Sequence, residues 1–258
     1  MTDTSGDATG RDITDQLTRD QVAESARRGG KGVGAIGVKQ RLSDVTTGLY
    51  LITAICGLVD AVCFLALGHV FAEMMTGNLL LLAFTIGTGH LLDGSAHYVP
   101  AILAFVVGAL VGGRLLRGPR KLQERRIGFA VEWGIIVAAT VLAAVTKPDE
   151  FNVAGQVLVA LLSLAMGLQN AMVRVHGVPD LATNVMTVTF TGIIADSAPA
   201  GGNNRNWRRR VLSVGLFFCT AALGALLLRS GIVWPLVAAT AVFTVAMYPL
   251  LLGDHQSK

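Results

Sequence analysis

Apolar residues gather into eight stretches along this chain, at 47–67, 70–89, 99–116, 128–146, 153–173, 181–197, 211–228 and 232–252. Most approach the ~20 residues that a helix needs to cross the hydrocarbon of a bilayer. The pattern therefore predicts an all-α integral membrane protein. Two stretches carry too many polar groups for helix facing lipid, where each unsatisfied group costs several kcal/mol. The second holds Glu73, Thr76 and Asn78, and the sixth holds Thr183, Asn184, Thr187, Thr189, Thr191 and Asp196. Both are expected to enter and return on one side as re-entrant or broken helices.

Composition agrees with the pattern. Of 258 residues 52% are hydrophobic and 15% charged, with mean hydropathy +0.58, whereas a soluble domain carries nearer a quarter charged residues. The charge is uneven: 14 of the 38 Asp, Glu, Lys and Arg lie in the first 46 positions. Residues 1–46 have too few apolar side chains to offset the entropy of ordering and are expected to form a disordered cytoplasmic tail. No apolar run follows a basic start there, as a signal peptide requires, and glycines follow Arg27-Arg28 where a twin-arginine signal needs its hydrophobic run. Gly32-Val-Gly34-Ala-Ile-Gly37 matches a dinucleotide fingerprint in form, but lacks the strand and helix flanks that make one bind. Arg27, Arg28, Lys31, Lys39 and Arg41 fit anchors at anionic headgroups.

Self-comparison divides the remainder into two copies of four segments, 47–146 and 153–252, with 253–258 as a short C-terminal tail. Gly57-Leu58-Val59-Asp60-Ala61 recurs as Gly167-Leu168-Gln169-Asn170-Ala171, and Met75-Thr76 recurs as Met186-Thr187. The third stretch matches the seventh through Phe105/Phe217, Ala109/Ala221, Gly112/Gly224 and Arg117/Arg229. Loop charge then sets the crossings. Arg114, Arg117, Arg120, Lys121, Arg125 and Arg126 cluster after the third stretch, Arg205, Arg208, Arg209 and Arg210 after the sixth, and His90–His97 has no Lys or Arg. Both clusters and the tail share the cytoplasmic side, as the positive-inside tendency demands, only when stretches two and six fail to cross. Six transmembrane helices remain, three per copy, and an odd number inverts one copy against the other. Inverted repeats with broken helices are a recurring transporter plan, with the site near the midplane.

The candidate site follows from the polar groups in those stretches. Asp60 lies midway along the first span, where a carboxylate must face protein, water or a partner. It reads either as a cation-binding or protonatable group, or as a structural acid bonded to neighbours. Around it the candidate substrate- or ion-binding set comprises Glu73, Thr76, Asn78, Asn170, Asp180, Thr183 and Thr187. Thr and Asn in such segments also serve to satisfy broken backbone or bridge helices. Glu132, beside Trp133, carries no assigned role. Cys56, Cys63 and Cys219 have no Cys or His partner at metal-site spacing and read as small packing residues, while His69 and His176 read as loop or cap residues. Gly108-xxx-Gly112 and Thr220-xxx-Gly224 permit close helix approach. With no nucleophile elbow, zincin motif or phosphate loop, the sequence is expected to encode no enzyme, metal site, cofactor or nucleic-acid contact.

At these residues the chain resembles the YoaK family of bacterial multi-pass membrane proteins, a domain of unknown function. The resemblance rests on Gly57–Ala61, on Phe64–Gly68, and on Met75-Thr76-Gly77-Asn78. Ala165–Ala171, Gly177-Val178-Pro179-Asp180 and Thr191–Asp196 extend it, so that it covers about residues 45 to 252. It implies a polytopic protein of the inner (plasma) membrane and supplies no substrate. Two functions remain in view. One is a small-solute or ion transporter or channel, with both termini cytoplasmic and the bilayer, an unknown solute and a second copy of the chain as partners. The other is a non-transporting membrane scaffold whose polar residues hold helices together.

Overall fold

The computed structural model describes residues 33–89, 91–117, 121–174, 186–204 and 206–252, and the core lies in the compact unit Asp44–Lys258. The helices in chain order are α1 (Val33–Ala66), α2 (Met75–Gly87), α3 (Leu91–Leu115), α4 (Lys121–Thr146), α5 (Val153–Arg174), α6 (Met186–Ala195), α7 (Trp207–Leu228) and α8 (Val233–Leu252). A single 3-10 turn, Ala198–Ala200, links α6 to α7. Among the described residues there is no strand. Helix α1 takes in Val33 to Thr46, which composition had assigned to an unstructured tail; Gly34 and Gly37 are therefore helical and form no phosphate-binding turn.

Among the described residues five segments are long and apolar enough to cross a bilayer: Thr46–Ala66, His97–Leu115, Gln123–Thr146, Val153–Arg174 and Trp207–Leu228. Val233–Tyr248 of α8 counts as a shorter apolar helix over its described side chains. The two polar stretches give the short helices α2, of 13 residues, and α6, of 10. At 1.5 Å per residue these reach only about 20 and 15 Å, against the ~30 Å of hydrocarbon. Neither described helix is by itself long enough to cross.

The helices divide by burial. The apolar windows of Thr46–Ala66 and Val153–Arg174 are 72% and 61% buried, against 11% for Trp207–Leu228, so α1 and α5 form the centre and the others surround them. Ile52, Ile55, Leu58, Val59 and Val62 of α1 and Leu158, Leu162, Met166 and Leu168 of α5 are core residues. On α3 and α7 the apolar residues Leu103, Leu110, Phe218 and Leu226 stay exposed, as expected of faces that meet lipid rather than water.

Small residues set the packing. Lipid chains are as apolar as Leu, so association within a bilayer depends on close fit rather than on escape from water. Helix α3 packs most extensively on α5. There a Cβ on Gly108 would collide with the Leu164 carbonyl, and one on Gly167 with the Phe105 carbonyl. Helix α7 meets α1 in the same manner: a Cβ on Gly57 would collide with the Thr220 hydroxyl and the Phe217 carbonyl. Gly112 touches Ala171 and Leu168 just as Gly224 touches Ala61 and Leu58. The Gly57 and Gly167 contacts, and those of Gly112 and Gly224, thus fall at positions matched by self-comparison, and α1 packs against α7 as α5 does against α3.

The fourth segments meet one another. The Thr140 and Thr240 hydroxyls lie 3.0 Å apart across α4 and α8, and the Trp133 indole N–H donates to Thr244 at 3.0 Å. Ile136, Ala139 and Ala143 of α4 and Leu236, Ala239 and Phe243 of α8 are buried at identical spacing. This correspondence escapes self-comparison because Ala- and Val-rich helices carry little sequence information.

Candidate functional site

The site begins where α1 ends. Gly68 at φ 93° and His69 at φ 57° place two successive residues in the left-handed region, which terminates a helix and turns the chain back toward α1. Gly68 serves here because it has no Cβ penalty at positive φ. Phe71 stacks on Phe64 with ring centroids 4.8 Å apart.

The returning segment is then fastened by two buried side chains. Asp60 Oδ1 accepts the backbone N–H groups of Ala72 at 2.8 Å and Glu73 at 3.0 Å. These lie just ahead of α2 and its N-cap Met74, so a carboxylate from another helix pins the segment that leads into α2. Its second oxygen, Oδ2, is buried without a hydrogen-bond partner. Asn78 faces back from the first turn of α2: its Nδ2 donates to the Phe71 carbonyl at 2.7 Å, and its Oδ1 accepts the Phe71 N–H at 2.8 Å. The Asn78 amide is fully buried and both its ends are occupied by one residue's backbone. Its geometry is that of a brace.

Glu73, Thr76 and Thr187 are brought together. They line a cavity of about 300 Å³ at the beginnings of the two short helices. The lining is matched between the halves: Met75, Thr76 and Phe105 on one side, Met186, Thr187 and Phe217 on the other. Glu73, itself buried, and Met74 complete it. Glu73 is the one formally charged side chain among these eight residues, and Asp60 is bonded to its backbone. Thr76 and Thr187 each occupy the second position of a short helix, so that two helix N-termini, each equivalent to roughly half a positive charge, open on one space.

Of the remaining candidates, Asn170 is not among the lining residues. Asn170 is half-buried and its Nδ2 donates to Met166 O of its own helix at 2.9 Å. Asp180 and Thr183 lie outside the described residues. Sequence reasoning had used Phe105, Phe217, Met75 and Met186 as anchors of the repeat without placing them at the site; their recurrence in register was the available signal. Arg210, one of the basic loop cluster that sets the topology, also binds Asp196 and donates to Gly192 O at 2.6 Å. A cation thereby meets the negative end of the α6 dipole.

Two further buried polar groups flank the core. Gln169 Nε2 donates to the Cys56 thiol sulfur at 3.1 Å, joining α5 to α1. Glu132 of α4 is fully buried and neither of its carboxyl oxygens has a hydrogen-bond partner. Among the described residues no group of three or more His, Cys, Asp and Glu is placed to hold a metal ion.

Comparison with known proteins completes the description. The family model described as "Protein of unknown function (DUF1275)" matches residues 48–248. The UPF0700 transmembrane protein YoaK of Bacillus subtilis (strain 168) is 28% identical over 150 residues, which is 57% of this chain and 65% of that protein. The chain therefore spans just under two thirds of this relative's length. No solved structure matches.

Proposed function

Because the chain belongs to the DUF1275 family of membrane proteins, which carries no assigned activity, we propose a function from the site itself: passage of a small solute or ion through a central cavity between two inverted repeats. The observation that carries this reading is the matched lining of the cavity, Met75-Thr76 with Phe105 and Met186-Thr187 with Phe217. A site built equally from two oppositely oriented halves can present similar faces to both sides of a membrane, which alternating access requires. Supporting the repeats are the paired contacts of α3 with α5 and of α7 with α1, and the α4 to α8 pairing. The fold is then six spans, with α2 and α6 as the inner limbs of broken segments. It sits in the plasma membrane with both termini cytoplasmic, and performs no covalent chemistry.

Flux assays in proteoliposomes test the reading. Purified chain should pass a solute or ion, and Thr76→Val together with Thr187→Val should slow that flux while leaving the melting temperature near wild type. Both threonines are exposed and line the cavity, so loss of their hydroxyls costs little stability. Absence of flux across a panel of ions and small metabolites would leave the scaffold reading, which the bracing roles of Asp60 and Asn78 already favour. Single cysteines at Ser95 and Gln123 test the topology: labelling from opposite sides fits six spans, and labelling of both from the cytoplasm sinks them.

A further inference from the structure

We infer that the cavity's ligand is a small organic ammonium ion. This inference rests on the reading of the cavity as a binding site and narrows its substrate class. Charge comes first. Among the described residues the lining contains Glu73 and no Lys or Arg, and Asp60 stands directly behind it through its bond to the Glu73 N–H. Against these two carboxylates stand two helix N-termini worth about half a charge each. The balance is negative, and the space favours a cation over an anion.

The remaining walls select the kind of cation. A hard metal ion needs about six oxygen ligands at short range, and among the described residues the lining supplies a single carboxylate and two hydroxyls. Phe105 and Phe217 instead make two of the lining residues aromatic, and an aromatic ring attracts a desolvated ammonium group through its face, while the thioethers of Met75 and Met186 are soft and adaptable against methyl or methylene groups. The volume of about 300 Å³ lies at the small end of ligand pockets, so the occupant is compact.

Titration calorimetry on the purified full chain in detergent tests this with tetramethylammonium nitrate, against sodium nitrate, sodium acetate and silver nitrate at equal ionic strength. Tetramethylammonium should bind saturably and the other three salts should not. Glu73→Gln should weaken binding at least about 10-fold, as loss of a close opposite charge in a low-dielectric site demands. Phe105→Leu and Phe217→Leu should each weaken it about 2- to 5-fold, the worth of one cation–π contact. Saturable binding of silver or acetate in place of tetramethylammonium overturns the inference. So does an affinity unchanged in the variants; should Glu73→Gln fail to fold, unchanged affinity in both Leu variants is sufficient. Ammonium binding without flux would retain this site and remove the transport reading, whereas flux of another solute without ammonium binding would do the reverse.

Discussion

Replacing Asp60 separates bracing from ligand binding more sharply than any other change. Its carboxylate accepts two backbone N–H groups at 2.8 and 3.0 Å and is 5% exposed. A hydrogen bond to a charged group contributes about 1.5–3 kcal/mol, and Asp60→Ala leaves both donors buried, so the expected loss is about 3–6 kcal/mol. For a chain of this size, about 2–4 °C accompanies each kcal/mol, and the melting temperature should fall by roughly 6–24 °C. Asp60→Asn keeps an acceptor where Oδ1 stands. Since charge-assisted bonds are about twice as strong as neutral ones, it should lose about half as much. Relief of the unpartnered Oδ2 charge reduces that loss further. Melting curves in detergent, followed by tryptophan fluorescence, give the order wild type, Asn, Ala. A cysteine at Thr76 reports the same release locally, reacting faster with maleimide in the Ala background. An Ala variant that melts with wild type, or an Asn variant that melts below Ala, would refute the bracing role.

Other positions give independent expectations. Gly108→Ala and Gly167→Ala should each lower the melting temperature, since the new Cβ meets backbone across the α3 to α5 contact; Gly134→Ala, with nothing within 4 Å, should leave it unchanged or slightly raised. Asn78→Ala removes both bonds to Phe71 and should cost about 1–3 kcal/mol, read in the same melt; Asn78→Asp, which keeps the acceptor and loses the donor, should fall between. Glu132→Leu replaces a fully buried, unpartnered carboxyl with an apolar side chain and should raise the melting temperature. A lowered one would show that the carboxyl has a stabilising role. Arg210→Ala should speed labelling of a cysteine placed at Ile194 by loosening the end of α6, and equal rates would count against the Arg210 clamp.

Much of the site's location was legible in the chain, but roles within it were not. Glu73, Thr76 and Thr187 stood out as polar groups in stretches too short of apolar residues for lipid, and they share one cavity. Asp60 and Asn78 carried the same signal, yet their side chains are spent on the backbone of residues 71–73. A polar residue within an apolar stretch must be satisfied somehow, and composition cannot say whether a ligand or a nearby peptide group does so. Phe105 and Phe217 show the converse: as apolar residues in apolar segments they gave no sign of chemistry beyond their recurrence.

The sequence by itself determined the class of the protein, the position of its helices and the weakness of two of them as membrane spans. Hydropathy and loop charge are local quantities, summed over neighbours along the chain, and bilayer thickness converts them directly into element lengths. Only the tertiary structure decided that α1 packs against α7 and α5 against α3, each half completing the other. It also decided that the second positions of two short helices, Thr76 and Thr187, border a common space. Those outcomes depend on which small residues let two backbones approach, a relation between positions more than 50 apart in the chain that no local pattern contains.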